Sequence, residues 1–148
     1  MTRAFARTIS IHIPNISVLG LVDFDPYGVD ILCTYKYGSI SLAHETGMEL
    51  ATLVWFGLKS HVFQPGFLEG DLEERLLKLT VRDRRKAISM LNWPLFQEEA
   101  TEENDIYQCK WGRELKVMLI LNLKAEIQVL GNCVKLVESL SKLHNVLM

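Results

Sequence analysis

The feature that most constrains the fold is a short string in which an apolar run, two carboxylates and a proline follow one another: Val18-Leu-Gly-Leu-Val22, Asp23-Phe-Asp25, then Pro26. Five apolar residues rich in β-formers, preceded by Pro14 and Asn15, suit a buried parallel strand. A helix is expected immediately afterwards. Asp25 is a good N-cap, Pro26 fits the first helical position, and Val29, Leu32, Cys33 and Lys36 continue the turns until Gly38 supplies a left-handed stop. Strand, acidic turn and helix make an α/β unit. Leu53-Val-Trp-Phe-Gly-Leu58 reads as a second buried strand, with Trp55 and Phe56 in the core. The interval 39–50 is long enough for a crossover rather than a hairpin, so a mostly parallel sheet is predicted, with the carboxylates at its carboxyl edge.

Beyond this unit the pattern loosens. Residues 61–79 contain Pro65, Gly66 and Gly70 and then a mixed charged run, which predicts a loop with a short amphipathic helix. Thr80-Val-Arg-Asp83 has the form of a capping box, with Asp where Glu or Gln is usual, and opens a helix through about Leu91 that Pro94 stops. A polar acidic link, 97–105, follows. Leu115, Met118, Leu119, Leu123, Ile127 and Leu130 recur at helical spacing, predicting one long amphipathic helix that ends near Gly131. Val134 to Leu147 looks like another.

Composition excludes more than it assigns. With 148 residues and 49% hydrophobic content, the chain can bury one sizeable core and is short for two domains. Its formal charge is -2, so any contact with nucleic acid must come from local patches. Three cysteines, Cys33, Cys109 and Cys133, stand far apart without a CxxC pair, against a disulfide framework or a structural zinc site and in favour of a reducing compartment. The basic N-terminus lacks the apolar stretch of a signal peptide, and the most apolar run, 117–123, is far short of the roughly 20 residues a membrane span requires. A soluble intracellular protein is expected, without a membrane role. The four histidines show neither HxxxH nor HExxH spacing, and no P-loop, GxGxxG or GxSxG string occurs.

Chemistry concentrates at the acidic turn. In an extended segment residues i and i+2 point to one side, so Asp23 and Asp25 face one point. Two carboxylates so placed repel unless a cation lies between them. Hard oxygen ligands of this kind suit magnesium, which takes one or two carboxylates and keeps several waters, and the helix N-terminus behind them favours a phosphate oxygen. The ordinary alternative is a helix cap. Asp30, in the early turns of the same helix, reads as a charge favoured by the helix dipole or as a supporting partner of the pair. Arg82, Arg84, Arg85 and Lys86 form a basic cluster at a helix start, which either meets DNA phosphates or is a solvated face. A DxD after a strand also serves haloacid dehalogenase-like phosphatases. Their motif wants Thr or Val two residues after the second Asp, where Tyr27 stands here.

The longer string Leu19-Gly-Leu-Val-Asp-Phe-Asp-Pro-Tyr-Gly-Val-Asp-Ile-Leu-Cys-Thr-Tyr-Lys-Tyr-Gly-Ser39 closely resembles the Toprim signature of the topoisomerase VI A-subunit family and its eukaryotic meiotic relatives. Four further segments resemble the same family in the same order: Thr2-Arg3, Trp55-Phe-Gly-Leu58, Leu79-Thr-Val-Arg-Asp-Arg-Arg-Lys-Ala87 with Met90-Leu91, and Lys124-Ala-Glu-Ile-Gln128 with Leu130. Tyr35-Lys-Tyr-Gly-Ser39 leans toward the meiotic branch.

That resemblance implies a Toprim-like α/β fold, a mostly parallel sheet flanked by helices with further helices at the C-terminus. It also implies a role in making the DNA double-strand breaks that initiate meiotic recombination. In the family a winged-helix domain supplies a tyrosine that attacks the DNA backbone, and the Toprim domain supplies magnesium, here through Asp23 and Asp25. The enzyme class implied is the DNA topoisomerase (ATP-hydrolysing) type, acting on double-stranded DNA in the nucleus, as a homodimer with a partner like the topoisomerase VI B-subunit. The family's earlier glutamate and its winged-helix domain precede the matching region, so residues 1–148 are expected to be a partial Toprim domain with a C-terminal helical extension. Tyr27, Tyr35, Tyr37 and Tyr107 lie outside the family's nucleophile motif, so no catalytic residue is expected in this chain. A catalytically silent module for interaction or dimerisation is the alternative.

Overall fold

The computed structural model of the chain describes residues 2–13, 16–38, 47, 49–60, 76–97 and 106–130. Helix α1 (Thr2–His12) leads into strand β1 (Val18–Val22), which pairs in parallel with β2 (Leu53–Gly57), Val18 opposite Leu53 and Val22 opposite Gly57. Between them runs helix α2 (Pro26–Tyr37). Its start follows from local chemistry: Asp25 is extended (φ -149°, ψ 166°) and its side chain accepts from the Gly28 N–H, while Pro26 sits where a missing N–H costs nothing. Its end is Gly38, whose φ of 91° a side chain would resist and whose N–H reaches the Thr34 carbonyl.

The face of α2 read from the sequence is the buried one: Val29, Leu32, Cys33 and Lys36 are all inside. Lys36 is the surprise, because a buried ammonium needs partners. It donates to the Ala51 carbonyl at 2.9 Å and the Leu53 carbonyl at 3.1 Å. A lysine thereby fastens the last turn of α2 to the start of β2. The Leu50 N–H donates to the Tyr35 carbonyl at 2.9 Å alongside it.

A second sheet stands where the sequence pattern points to a loop and a helix. Leu76–Lys78 is strand β3, paired antiparallel with β4 (Leu123–Ala125). Helix α3 (Val81–Leu91) opens as the sequence predicts, with the Asp83 N–H donating to Thr80 Oγ1 and the Thr80 N–H to Asp83 Oδ2. It ends at Leu91 as predicted, ahead of Pro94, which then begins a one-turn helix, α4 (Pro94–Gln97). The long helix predicted to reach Gly131 is instead α5 (Ile106–Leu121), stopped by Asn122 at φ 56°. Leu123 then belongs to β4, and Ile127 to a 3-10 turn (Ile127–Leu130). Leu115 and Met118 do line the core, so the helical spacing is meaningful over α5 and coincidental beyond it. The predicted helix over 134–147, the acidic link over 98–105 and the loop over 61–75 lie outside the described residues.

Helices α2, α3 and α5 enclose the core with β2 and β4. Trp111 of α5 meets Trp55 edge-on at 6.2 Å between ring centres, and Tyr37 at 5.9 Å. Trp55 and Phe56 are buried as expected. Strand β1 departs from expectation: Leu19 and Leu21 are 46% and 45% exposed, so one face of the strand is open rather than buried. An apolar run signals compatibility with burial on both faces, not that both are covered. Among the described residues no helix is long and apolar enough to cross a membrane.

Candidate metal centre

The acidic turn sits where β1 ends and α2 begins, at the carboxyl edge of the parallel pair. Phe24 between the two aspartates is fully buried, and its backbone is gripped from a distant part of the chain. Its N–H donates to the Ala125 carbonyl at 2.8 Å and its carbonyl accepts from the Ala125 N–H at 3.1 Å. With Phe24 directed into the core, alternation along extended backbone turns Asp23 and Asp25 the other way, and both are half-buried. Both therefore leave the segment on the side opposite Phe24.

Each carboxylate uses one oxygen to hold the backbone. Asp23 Oδ1 accepts from the Ile127 N–H at 2.7 Å, and Asp25 Oδ1 from the Gly28 N–H at 2.6 Å. The other oxygen of each has no hydrogen-bond partner among the described residues. Gly28 is required here: a Cβ at this position would stand 2.4 Å from the Asp23 carbonyl and 3.2 Å from Asp25 Oδ1. Burial pushes the Asp25 carboxyl above its usual range; the Gly28 N–H works against this, and the Asp23 charge adds to it. Two partly desolvated carboxylates, each with an unused oxygen, fit a divalent cation that would relieve the repulsion between them. No cluster of three or more His, Cys, Asp or Glu side chains suited to a metal occurs among the described residues, so water would complete any such site.

Two residues to which the sequence pattern assigns no part in the site stand beside the pair. Asp83, 4% exposed, receives Lys124 Nζ at 2.8 Å as well as the Thr80 N–H. Burial alone would raise the Asp83 carboxyl, but the Lys124 ammonium and the Thr80 hydrogen bonds hold it below the usual carboxylate range. Lys124 is held above the usual lysine range, first by its hydrogen bond to Asp83 and also by the charge of Asp25. The string Lys124-Ala-Glu-Ile-Gln128 resembles the family, but nothing local to it indicates that Ala125 and Ile127 grip the acidic turn.

The basic cluster is divided among different tasks. Arg82 is exposed and its guanidinium lies over the Tyr27 ring at 5.8 Å, in the first turn of α2. Arg84 donates to Asn122 Oδ1 at 2.7 Å, tying α3 to the end of α5. Lys86 pairs with Asp30 at 2.7 Å and covers the Trp93 ring at 5.3 Å. Asp30 thus joins α2 to α3. Arg85 is exposed without a side-chain partner among the described residues.

Comparison with known proteins assigns the family. Residues 1–140 match the family model for the Toprim domain of the topoisomerase 6 A-subunit and Spo11. The meiotic recombination protein SPO11 of Mus musculus is 38% identical over 120 residues, covering 80% of this chain and 26% of the mouse protein. SPO11-1 of Oryza sativa subsp. indica is 38% identical over 136 residues, 89% of this chain and 32% of the rice protein. Meiotic recombination protein rec12 of Schizosaccharomyces pombe is 30% identical over 131 residues, 88% of this chain and 34% of the yeast protein. The chain therefore spans between about a quarter and a third of the length of these curated relatives. The two-stranded parallel sheet flanked by helices, the acidic turn that begins α2 and the match over residues 1–140 place the chain in the Toprim family of Spo11 and the topoisomerase VI A-subunit.

Proposed function

We propose that this chain is the magnesium-binding Toprim part of a type IIB topoisomerase-like transesterase that makes meiotic DNA double-strand breaks to initiate recombination. The observation that carries the reading is the acidic turn. Asp23 and Asp25 leave the core side by side at the carboxyl edge of β1, each with one oxygen fixed by a backbone N–H and one unused. Magnesium held there would offset charge at a backbone phosphate and at the leaving oxygen. The chain's own groups would orient that phosphate: the N-terminus of α2 presents a favourable dipole, and Arg82 and Arg85 are exposed at the start of α3.

The attacking tyrosine belongs, on this reading, to a winged-helix domain outside residues 1–148. Three of the resident tyrosines have other tasks. Tyr27 lies beneath Arg82, Tyr37 packs edge-on against Trp111, and Tyr35 packs against the core. The chain alone is then catalytically silent and serves at most in interaction or dimerisation. The whole protein would act in the nucleus on double-stranded DNA as a homodimer with a partner like the topoisomerase VI B-subunit, in the manner of the ATP-hydrolysing DNA topoisomerases.

The test is a magnesium-dependent plasmid cleavage assay scored for covalent protein–DNA adducts. It compares the chain alone with the chain joined to a winged-helix segment carrying a family-like tyrosine motif. Adducts are expected only from the joined protein, and only with magnesium. A robust adduct through Tyr27, Tyr35, Tyr37 or Tyr107 of the chain alone would overturn the assignment.

A further inference from the structure

Lys124 stands across from Asp25. In the antiparallel bridge of Phe24 with Ala125, the residue after Phe24 lies opposite the residue before Ala125, and cross-strand neighbours of this kind share one side of the ladder. The bridge itself ends at Phe24 and Ala125, but Asp25 is still extended at this point, which keeps it on the Lys124 side. The ammonium is held at 2.8 Å by Asp83, itself buried and fixed by the Thr80 N–H at the start of α3. Lys124 is thus anchored by Asp83 while its charge acts on Asp25.

An anchored positive charge beside two carboxylates has a definite consequence for a third ion. It repels a dication by Coulomb's law. We propose that Lys124 is a positioning residue that sets the cation affinity of the acidic turn: its anchored charge restrains binding at Asp23 and Asp25. This inference rests on Asp23 and Asp25 being the cation ligands.

Manganese, followed by the spectroscopic signal of the free ion, is titrated into the 148-residue chain and its variants, with thermal unfolding recorded for each. Lys124→Met is expected to bind manganese about fivefold more tightly than wild type, the size expected when one nearby unit charge is removed. Lys124→Arg, which keeps the charge, is expected to match wild type. Lys124→Met combined with Asp83→Asn leaves no buried charge unpaired and so guards against loss of fold. It too is expected to exceed wild type, because the charge across from Asp25 is removed in it as well. Equal or weaker binding in both Met variants, while Asp23→Asn abolishes binding, would overturn the role of Lys124 and leave the acidic site standing. Undiminished binding in Asp23→Asn and Asp25→Asn would remove both.

Discussion

The acidic turn and the start of α3 both carry clustered charge, yet they dispose of it in opposite ways. At the turn, two carboxylates each commit one oxygen to a backbone N–H and keep the other unused. At the start of α3, charge is largely consumed within the molecule: Asp83 by Lys124 and Thr80, Lys86 by Asp30, Arg84 by Asn122. A run of like charges is therefore a poor guide to a binding surface, because burial and pairing decide which members remain available. Spare hydrogen-bonding capacity, not charge density, distinguishes the candidate site.

The contrast can be tested first where it predicts the largest loss. Asp83→Ala removes the capping-box carboxylate and leaves Lys124 without its partner, so chemical denaturation should show a destabilisation of about 3 kcal/mol. Retained stability would mean that the pair is not structural. A smaller effect is expected at Lys86, whose ion pair with Asp30 is partly exposed. Lys86→Met should cost about 0.5–1 kcal/mol, through the pair and its cover over Trp93, without changing DNA affinity. Arg85→Gln should leave stability unchanged, and in a DNA-binding measurement it should reduce the salt slope by about 1, as for one lost phosphate contact. If Lys86→Met weakened DNA binding more than Arg85→Gln, the division of tasks within the cluster would fail.

The two aspartates also predict opposite responses to acid. Asp83 is held below its ordinary value of 3.8, so its contribution to stability is complete above that value and is lost as pH falls through the lower folded-state value. Asp25 is raised, so its ionised form disfavours the fold above its folded-state value, and acidification through the raised range relieves this. Melting temperature against pH, without divalent ions, should accordingly lose part of its fall at low pH in Asp83→Asn. Asp25→Asn should be no less stable than wild type at neutral pH, since Asn caps a helix about as well as Asp.

The part of the fold legible in the sequence is the part fixed by local chemistry. Asp25, Pro26 and Gly38 mark the ends of α2, and Thr80 with Asp83 the start of α3, because caps are satisfied within a few residues. What escapes such a reading depends on contacts across the chain. Phe24 and Ala125 are joined only in the folded state, and Leu123 and Ile127 happen to continue the helical spacing that Asn122 interrupts. The Asp23–Asp25 geometry is legible for the same local reason as the cap. Its surroundings, the Ile127 N–H on Asp23 and the Lys124–Asp83 pair, are not.

The central claim is that Asp23 and Asp25 form a cation site rather than a helix cap with a neighbouring charge. Magnesium titrated calorimetrically into wild type, Asp23→Asn and Asp25→Asn, with thermal unfolding measured on the same samples, tests it directly. Each variant should keep its fold and bind magnesium at least about tenfold more weakly, since one of few protein ligands has lost its charge. Equal magnesium binding in all three proteins would leave both aspartates as structural residues and contradict the account.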